Sequence, residues 1–101
     1  MQVSILSVAD LGLAVRATRR AYRLRLDDVA SSAQVGTQFA GELERGKETV
    51  QLGKVLQVLQ ELGIKVVLDV PSSVAETLET LREKGVKPVK PRRRTTNTGK
   101  P

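Results

Sequence analysis

The stretch Thr37-Gln38-Phe39-Ala40-Gly41-Glu42 places hydrogen-bonding groups along one side of a short helix, and their chemistry is recognition of polar edges rather than bond breaking. Thr37 and Gln38 stand in its first turn. A glutamine amide can pair bidentately with adenine, and a threonine can offer its hydroxyl or touch a thymine methyl, so both are candidate base readers. The plainer alternative is a pair of exposed polar residues. Gly41, one turn on, either permits close approach to a backbone or a base or is a helix weakness of about 1 kcal/mol relative to alanine. Glu42 either accepts from the N4 amino group of cytosine or, as a solvated acid, repels phosphate and sharpens specificity by penalty.

Cations surround this face. Arg16, Arg19, Arg20, Arg23 and Arg25 form a run with no acid between Leu11 and Leu26. Arg16, Arg20, Arg23, Arg25, Arg45 and Lys47 are the candidate phosphate contacts, which would fix register without carrying sequence information. Each taken singly is equally a solvated surface charge; together they share one plausible partner, double-stranded DNA. The chain has 101 residues and a net charge of +6, with neither histidine nor cysteine. That leaves little material for a metal site or a nucleophilic triad, so neither an enzyme nor a bound cofactor is expected. Residues 1–71 carry nine basic and eight acidic residues, whereas residues 72–101 carry eight and three. The excess charge therefore sits in the C-terminal part.

The elements that position these residues are helical. Ser7, with Asp10 three residues on, fits a helix N-terminus. Leu11, Val15, Thr18 and Tyr22 then share the inward face of a first helix, and Leu24 is expected in the core at the following turn. A second helix covers about 26–32, burying Val29, Ala30 and Ala33, with Asp27 and Asp28 at the positive end of its dipole. A third begins near Gly36 and ends at Glu44 or Arg45. Phe39, Ala40 and Leu43 face inward there, and Thr37, Gln38, Gly41 and Glu42 face outward. Gly46 fits its C-cap. A fourth covers about 50–62, with Leu52, Val55, Leu56, Leu59 and Leu62 on its apolar side, and Gly63 stops it.

The pattern then changes. Ile64, Val66, Val67, Leu68 and Val70 make a β-branched, roughly alternating run closed by Pro71, which predicts one strand over 64–70. A lone strand has no partner within an otherwise helical chain, so pairing with its counterpart in a second copy is expected. The organisation expected is thus a helix-turn-helix domain with a dimerisation strand over 1–71, a short helix over 73–84, and a basic, disordered tail over 85–101. Arg92, Arg93 and Arg94 in that tail suit a DNA arm, a protein-binding or proteolysis signal, or a solubilising segment. No secretory or membrane signal heads the sequence, which suggests a cytoplasmic chain and no membrane partner.

The pattern Leu11-Gly12…Arg16…Arg19…Leu24…Val29-Ala30…Val35…Leu43-Glu44-Arg45-Gly46-Lys47 resembles the XRE (phage-repressor-type) helix-turn-helix family over residues 11–62. The following strand makes the chain most similar to HipB-type antitoxins. That resemblance implies an all-α, four-helix domain dimerised by a two-stranded intersubunit sheet. It also implies a repressor that binds a pseudo-palindromic operator of its own operon, and capture of a HipA-type serine/threonine kinase toxin. It further implies an ion pair between Arg19 and Glu44 bracing the first helix against the end of the third. The sequence departs from the family where a Thr or Ser cap and a Gln usually open the second helix: Arg25 and Leu26 stand there. Loss of the cap costs about 1 kcal/mol. Leu26 and Glu42 leave room for two other readings, a stand-alone repressor without a toxin and a dimeric interaction module with little DNA affinity.

Overall fold

The computed structural model describes residues 1–85, and all regular structure among them is helical. A first unit, Met1–Val67, holds four helices: α1 Val8–Ala21, α2 Leu26–Ala33, α3 Thr37–Glu44 and α4 Leu52–Glu61. α1 opens on a side-chain cap, with the Ser7 hydroxyl accepting from the Asp10 backbone N–H at 3.1 Å. Asp10 in turn accepts from the Leu6 N–H at 3.0 Å. α3 packs on both α1 and α2, and α2 on α4. Val15, Val29, Ala33, Leu43, Val55, Val58, Leu59 and Leu62 form the core, and Leu43 at its centre has no exposed surface.

Each of the four helices ends the same way. A residue just past the helix turns left-handed (the cap itself in α2, the residue after the cap in the others), and the next N–H reaches back to a carbonyl in the last turn: Leu24 to Arg19 at 3.0 Å, Val35 to Ala30 at 2.9 Å, Lys47 to Glu42 at 3.0 Å and Ile64 to Leu59 at 2.8 Å. This is the Schellman arrangement, which satisfies carbonyls that a helix end leaves open. Gly46 and Gly63 adopt the left-handed conformation at φ +81° and +73°, but α1 and α2 use Arg23 at φ 57° and Gln34 at φ 61°. A side chain in that region costs roughly 1–2 kcal/mol.

Several apolar positions fall elsewhere than their periodicity predicts. Tyr22 and Leu24, expected inside, are 63 % and 39 % exposed. α1 stops at Ala21, and the left-handed step at Arg23 turns the chain off the inward face. On α4, Leu52 and Leu56 are exposed and Val58 is buried in their place. Val55, Val58, Leu59 and Leu62, spaced i, i+3, i+4 and i+7, form the stripe that faces the core. Residues 64–70, expected as a strand, carry no regular structure within the single chain, which offers them no ladder partner.

From Leu68 onward the chain forms a second unit. Its described part has a 3-10 turn at Ser72–Val74 leading into α5, Ala75–Lys84, with Val74, Leu78 and Leu81 exposed. The basic tail beyond Gly85, with Arg92, Arg93 and Arg94, lies outside the described residues. No described helix is long and apolar enough to cross a membrane.

α1 meets the end of α3 backbone to backbone. A Cβ on Gly12 would fall on the Leu43 carbonyl oxygen and within 2.8 Å of that of Glu44, and one on Gly46 would lie 2.7 Å from the Ala9 Cα. Two substitutions should therefore move stability in opposite directions. Gly12→Ala is expected to cost about 3 kcal/mol by overpacking. Gln34→Gly is expected to add about 1 kcal/mol by relieving its left-handed backbone. Urea unfolding of both variants checks the pair, and a Gly12→Ala midpoint equal to the parent's would refute the close approach.

Candidate nucleic-acid interface

The residues that could touch a nucleic acid lie on α3 and the turn after it, and on α1 and the turn that leads into α2, so their placement depends on how α1 and α3 are held together. Arg19 on α1 donates from Nε to Glu44 Oε2 at 2.6 Å and from Nη2 to Glu44 Oε1 at 3.0 Å. Its Nη1 also donates to the Leu24 carbonyl at 2.9 Å, tying in the turn before α2. With the two side chains only 14 % and 8 % exposed, this two-point pair is a structural clamp rather than a contact for a ligand. The hydrogen bonds from Arg19 to Glu44 raise the guanidinium pKa above its ordinary value, so Arg19 stays charged.

Thr37 and Gln38 lie exposed in the first turn of α3, whose N-cap is Gly36. Gly41, expected exposed one turn on from Thr37, is instead buried, and a Cβ there would lie 3.3 Å from Arg45 Nη1 and 3.6 Å from Leu26 Cδ2. The missing side chain leaves room for Leu26 and the Arg45 guanidinium. That placement also explains Leu26, which half-buries its side chain over α3 where a hydrogen-bonding residue had been expected to brace it.

Glu42 is neither free nor simply solvated. Its Oε2 accepts from Lys47 Nζ at 3.2 Å and from Gln38 Nε2 at 3.4 Å. These donors, Lys47 before Gln38, hold the carboxyl below its usual range. A depressed carboxyl pKa stabilises the fold above its unfolded value, and that contribution is lost as the pH falls through the folded one. Lys47 reaches Glu42, five residues back, because the left-handed Gly46 returns the chain over the end of α3. The spacing of Gln38 and Glu42, one helical turn apart, was the available sequence signal for their contact.

Arg25 stands at the N-cap of α2 without making a capping hydrogen bond, as its residue type implies. It forks onto Asp27 instead, from Nε to Oδ1 at 3.1 Å and from Nη2 to Oδ2 at 3.3 Å. The pairing raises the Arg25 pKa and lowers that of Asp27, chiefly through these hydrogen bonds. Arg16, Arg20, Arg23 and Arg45 are exposed and form no ion pair among the described residues. No group of side chains suited to a metal ion occurs among the described residues either.

A helix clamped at its C-terminus, with a polar first turn exposed and cations on the turn after it and on α1 and the turn leading into α2, is compatible with the way a helix-turn-helix protein enters a DNA groove. The comparisons with known proteins agree. An uncharacterized HTH-type transcriptional regulator, y4mF of Sinorhizobium fredii, is 48 % identical over 66 residues, covering 65 % of this chain and 87 % of the relative. The chain belongs to the HTH-type transcriptional regulators and is a DNA-binding regulator rather than an enzyme. Its fold is that of HipB: the structures of a HipB–O4 20mer complex and of a HipA–HipB–O2–O3 complex each match at a TM-score of 0.64 and 17 % identity, over 68 % of this chain and 97 % of theirs. The clp gene regulator ClgR from C. glutamicum matches at a TM-score of 0.53 and 25 % identity, over 82 % of this chain and 97 % of its own. No protein-family profile matches.

The clamp has a measurable weight. Glu44→Ala leaves Arg19 partly buried without its acceptor and is expected to cost about 3 kcal/mol, whereas replacing both residues by Met and Leu should cost less. Equal thermal midpoints for Glu44→Ala and the parent would contradict a structural role for the pair.

Proposed function

We propose that the chain works as a homodimer that represses its own operon and serves as the antitoxin of a HipBA-type pair, holding a HipA-type Ser/Thr kinase toxin inactive. In this reading each α3 enters a major groove, and two half-sites about one helical turn apart form the pseudo-palindromic operator. Thr37 and Gln38 read base edges. Arg16, Arg20, Arg23 and Arg45 contact phosphates directly, while Arg25 and Lys47 must first exchange the carboxylates they hold.

The observation that carries the dimer and antitoxin reading is the segment after α4. Val66, Val67 and Leu68 are 57 %, 67 % and 79 % exposed on a chain whose preceding helices fold as HipB does. A β-branched apolar run left bare is an edge that natural proteins cover, and its counterpart in a second copy covers it with complementary hydrogen bonds. Toxin capture is supported by the likeness to the HipB of a HipA–HipB complex.

The test is an affinity pull-down of the tagged full chain from its native lysate, with nuclease present to remove partners held only through DNA. Stoichiometric recovery of a kinase-like protein is the expected result. Recovery of the chain alone, from cells expressing an adjacent kinase gene, would refute the antitoxin assignment and leave a stand-alone repressor.

A further inference from the structure

The carboxylate on the exposed side of α3 has an unusual setting for an acid beside an expected DNA surface. Glu42 holds two donors on the same oxygen, Lys47 Nζ at 3.2 Å and Gln38 Nε2 at 3.4 Å. The Lys47 backbone is fixed as well, its N–H donating to the Glu42 carbonyl at 3.0 Å. Lys47 therefore balances the acid locally, with Arg45 adding a weaker attraction. In the isolated chain this pairing offsets the acid's repulsion of phosphate. Its Oε2 is also engaged by two protein donors.

We propose that Glu42 is a positioning residue that fixes which way the Gln38 amide faces and so sets an adenine preference at the base Gln38 reads; this rests on the DNA-binding reading of Gln38 given above. The physical argument concerns the amide's two ends. A free glutamine can present either its oxygen or its nitrogen to a given neighbour. Beside a carboxylate only the nitrogen end is favourable, because the amide oxygen would be repelled. With one Nε2 hydrogen given to Glu42, the amide retains its oxygen and a second hydrogen for a ligand. Adenine offers the matching pair in the major groove, an N6 donor and an N7 acceptor, whereas guanine offers the acceptors O6 and N7 and opposes the amide oxygen. Releasing the amide would remove that penalty.

The experiment uses the full chain and duplex DNA selected by it from a randomised pool, with each position of the selected duplex then changed to the other three bases. Gln38→Ala identifies the position it reads, where wild type is expected to prefer adenine over guanine by roughly tenfold or more. Glu42→Gln keeps the shape but removes the charge, and it should cut that preference severalfold at that position while leaving the others in place, with a small drop in thermal midpoint from the lost Lys47 pair. Glu42→Asp keeps the charge but shortens the reach, and it should show the same loss.

Three results would overturn the proposal while sparing the DNA reading. One is a Glu42→Gln chain that binds all duplexes more tightly by the same factor, with Glu42→Asp like wild type, which is the behaviour of a repelling acid. Another is loss of a cytosine preference at a separate position, which would make Glu42 a direct reader. The third is an adenine preference untouched by either variant. A wild-type chain that selects no sequence refutes the DNA reading and this proposal together.

Discussion

The structure depends on the contact between α1 and the C-terminal end of α3. Two glycines, Gly12 and Gly46, let backbone meet backbone there, where no methyl group would fit. Arg19 and Glu44 then close the joint with two hydrogen bonds, and a third from Arg19 fixes the Leu24 carbonyl. One guanidinium thus ties α1, the turn before α2 and the end of α3 into a single frame. The first turn of α3 is left as the free end of a clamped rod, which lets its polar side chains meet a duplex at a fixed angle.

Charges around that rod are arranged in two tiers. Arg25 and Lys47 are occupied in the isolated chain, on Asp27 and Glu42. Arg16, Arg20, Arg23 and Arg45 are not paired among the described residues. Exposed ion pairs are individually weak, of the order of 1 kcal/mol or less, so a phosphate can displace them at modest cost. In the proposed reading the unpaired arginines supply the salt-dependent attraction for DNA. The near-neutral balance of the folded part is compatible with this, because the acids lie beside particular cations and leave Arg16, Arg20 and Arg23 without an ion pair among the described residues.

Much of this frame was legible in the residues. Ser7 and Asp10 mark the start of α1, and Gly46 and Gly63 mark the ends of α3 and α4, because capping chemistry is local. The Arg19–Glu44 pair is 25 residues apart in sequence and was accessible only through the family resemblance. Burial was read less well near helix ends. Tyr22 and Leu24 have the types and spacing of core residues, but the left-handed step at Arg23 turns them out, and nothing about an arginine signals that conformation. Leu52 and Leu56 likewise fit a helical period, yet the buried stripe runs through Val58 instead. Gly41 was expected exposed because helical spacing places it among outward residues, whereas Leu26 and Arg45 close over it. Such packing between elements is invisible to periodicity along one of them.

The central claim is that this chain presents two copies of α3 to one face of a duplex. Hydroxyl-radical footprinting of the full chain on the duplex it binds best tests that most directly. The account predicts two protected windows related by two-fold symmetry, with centres about one helical turn apart. A single window, or protection spread evenly along the duplex, would contradict it.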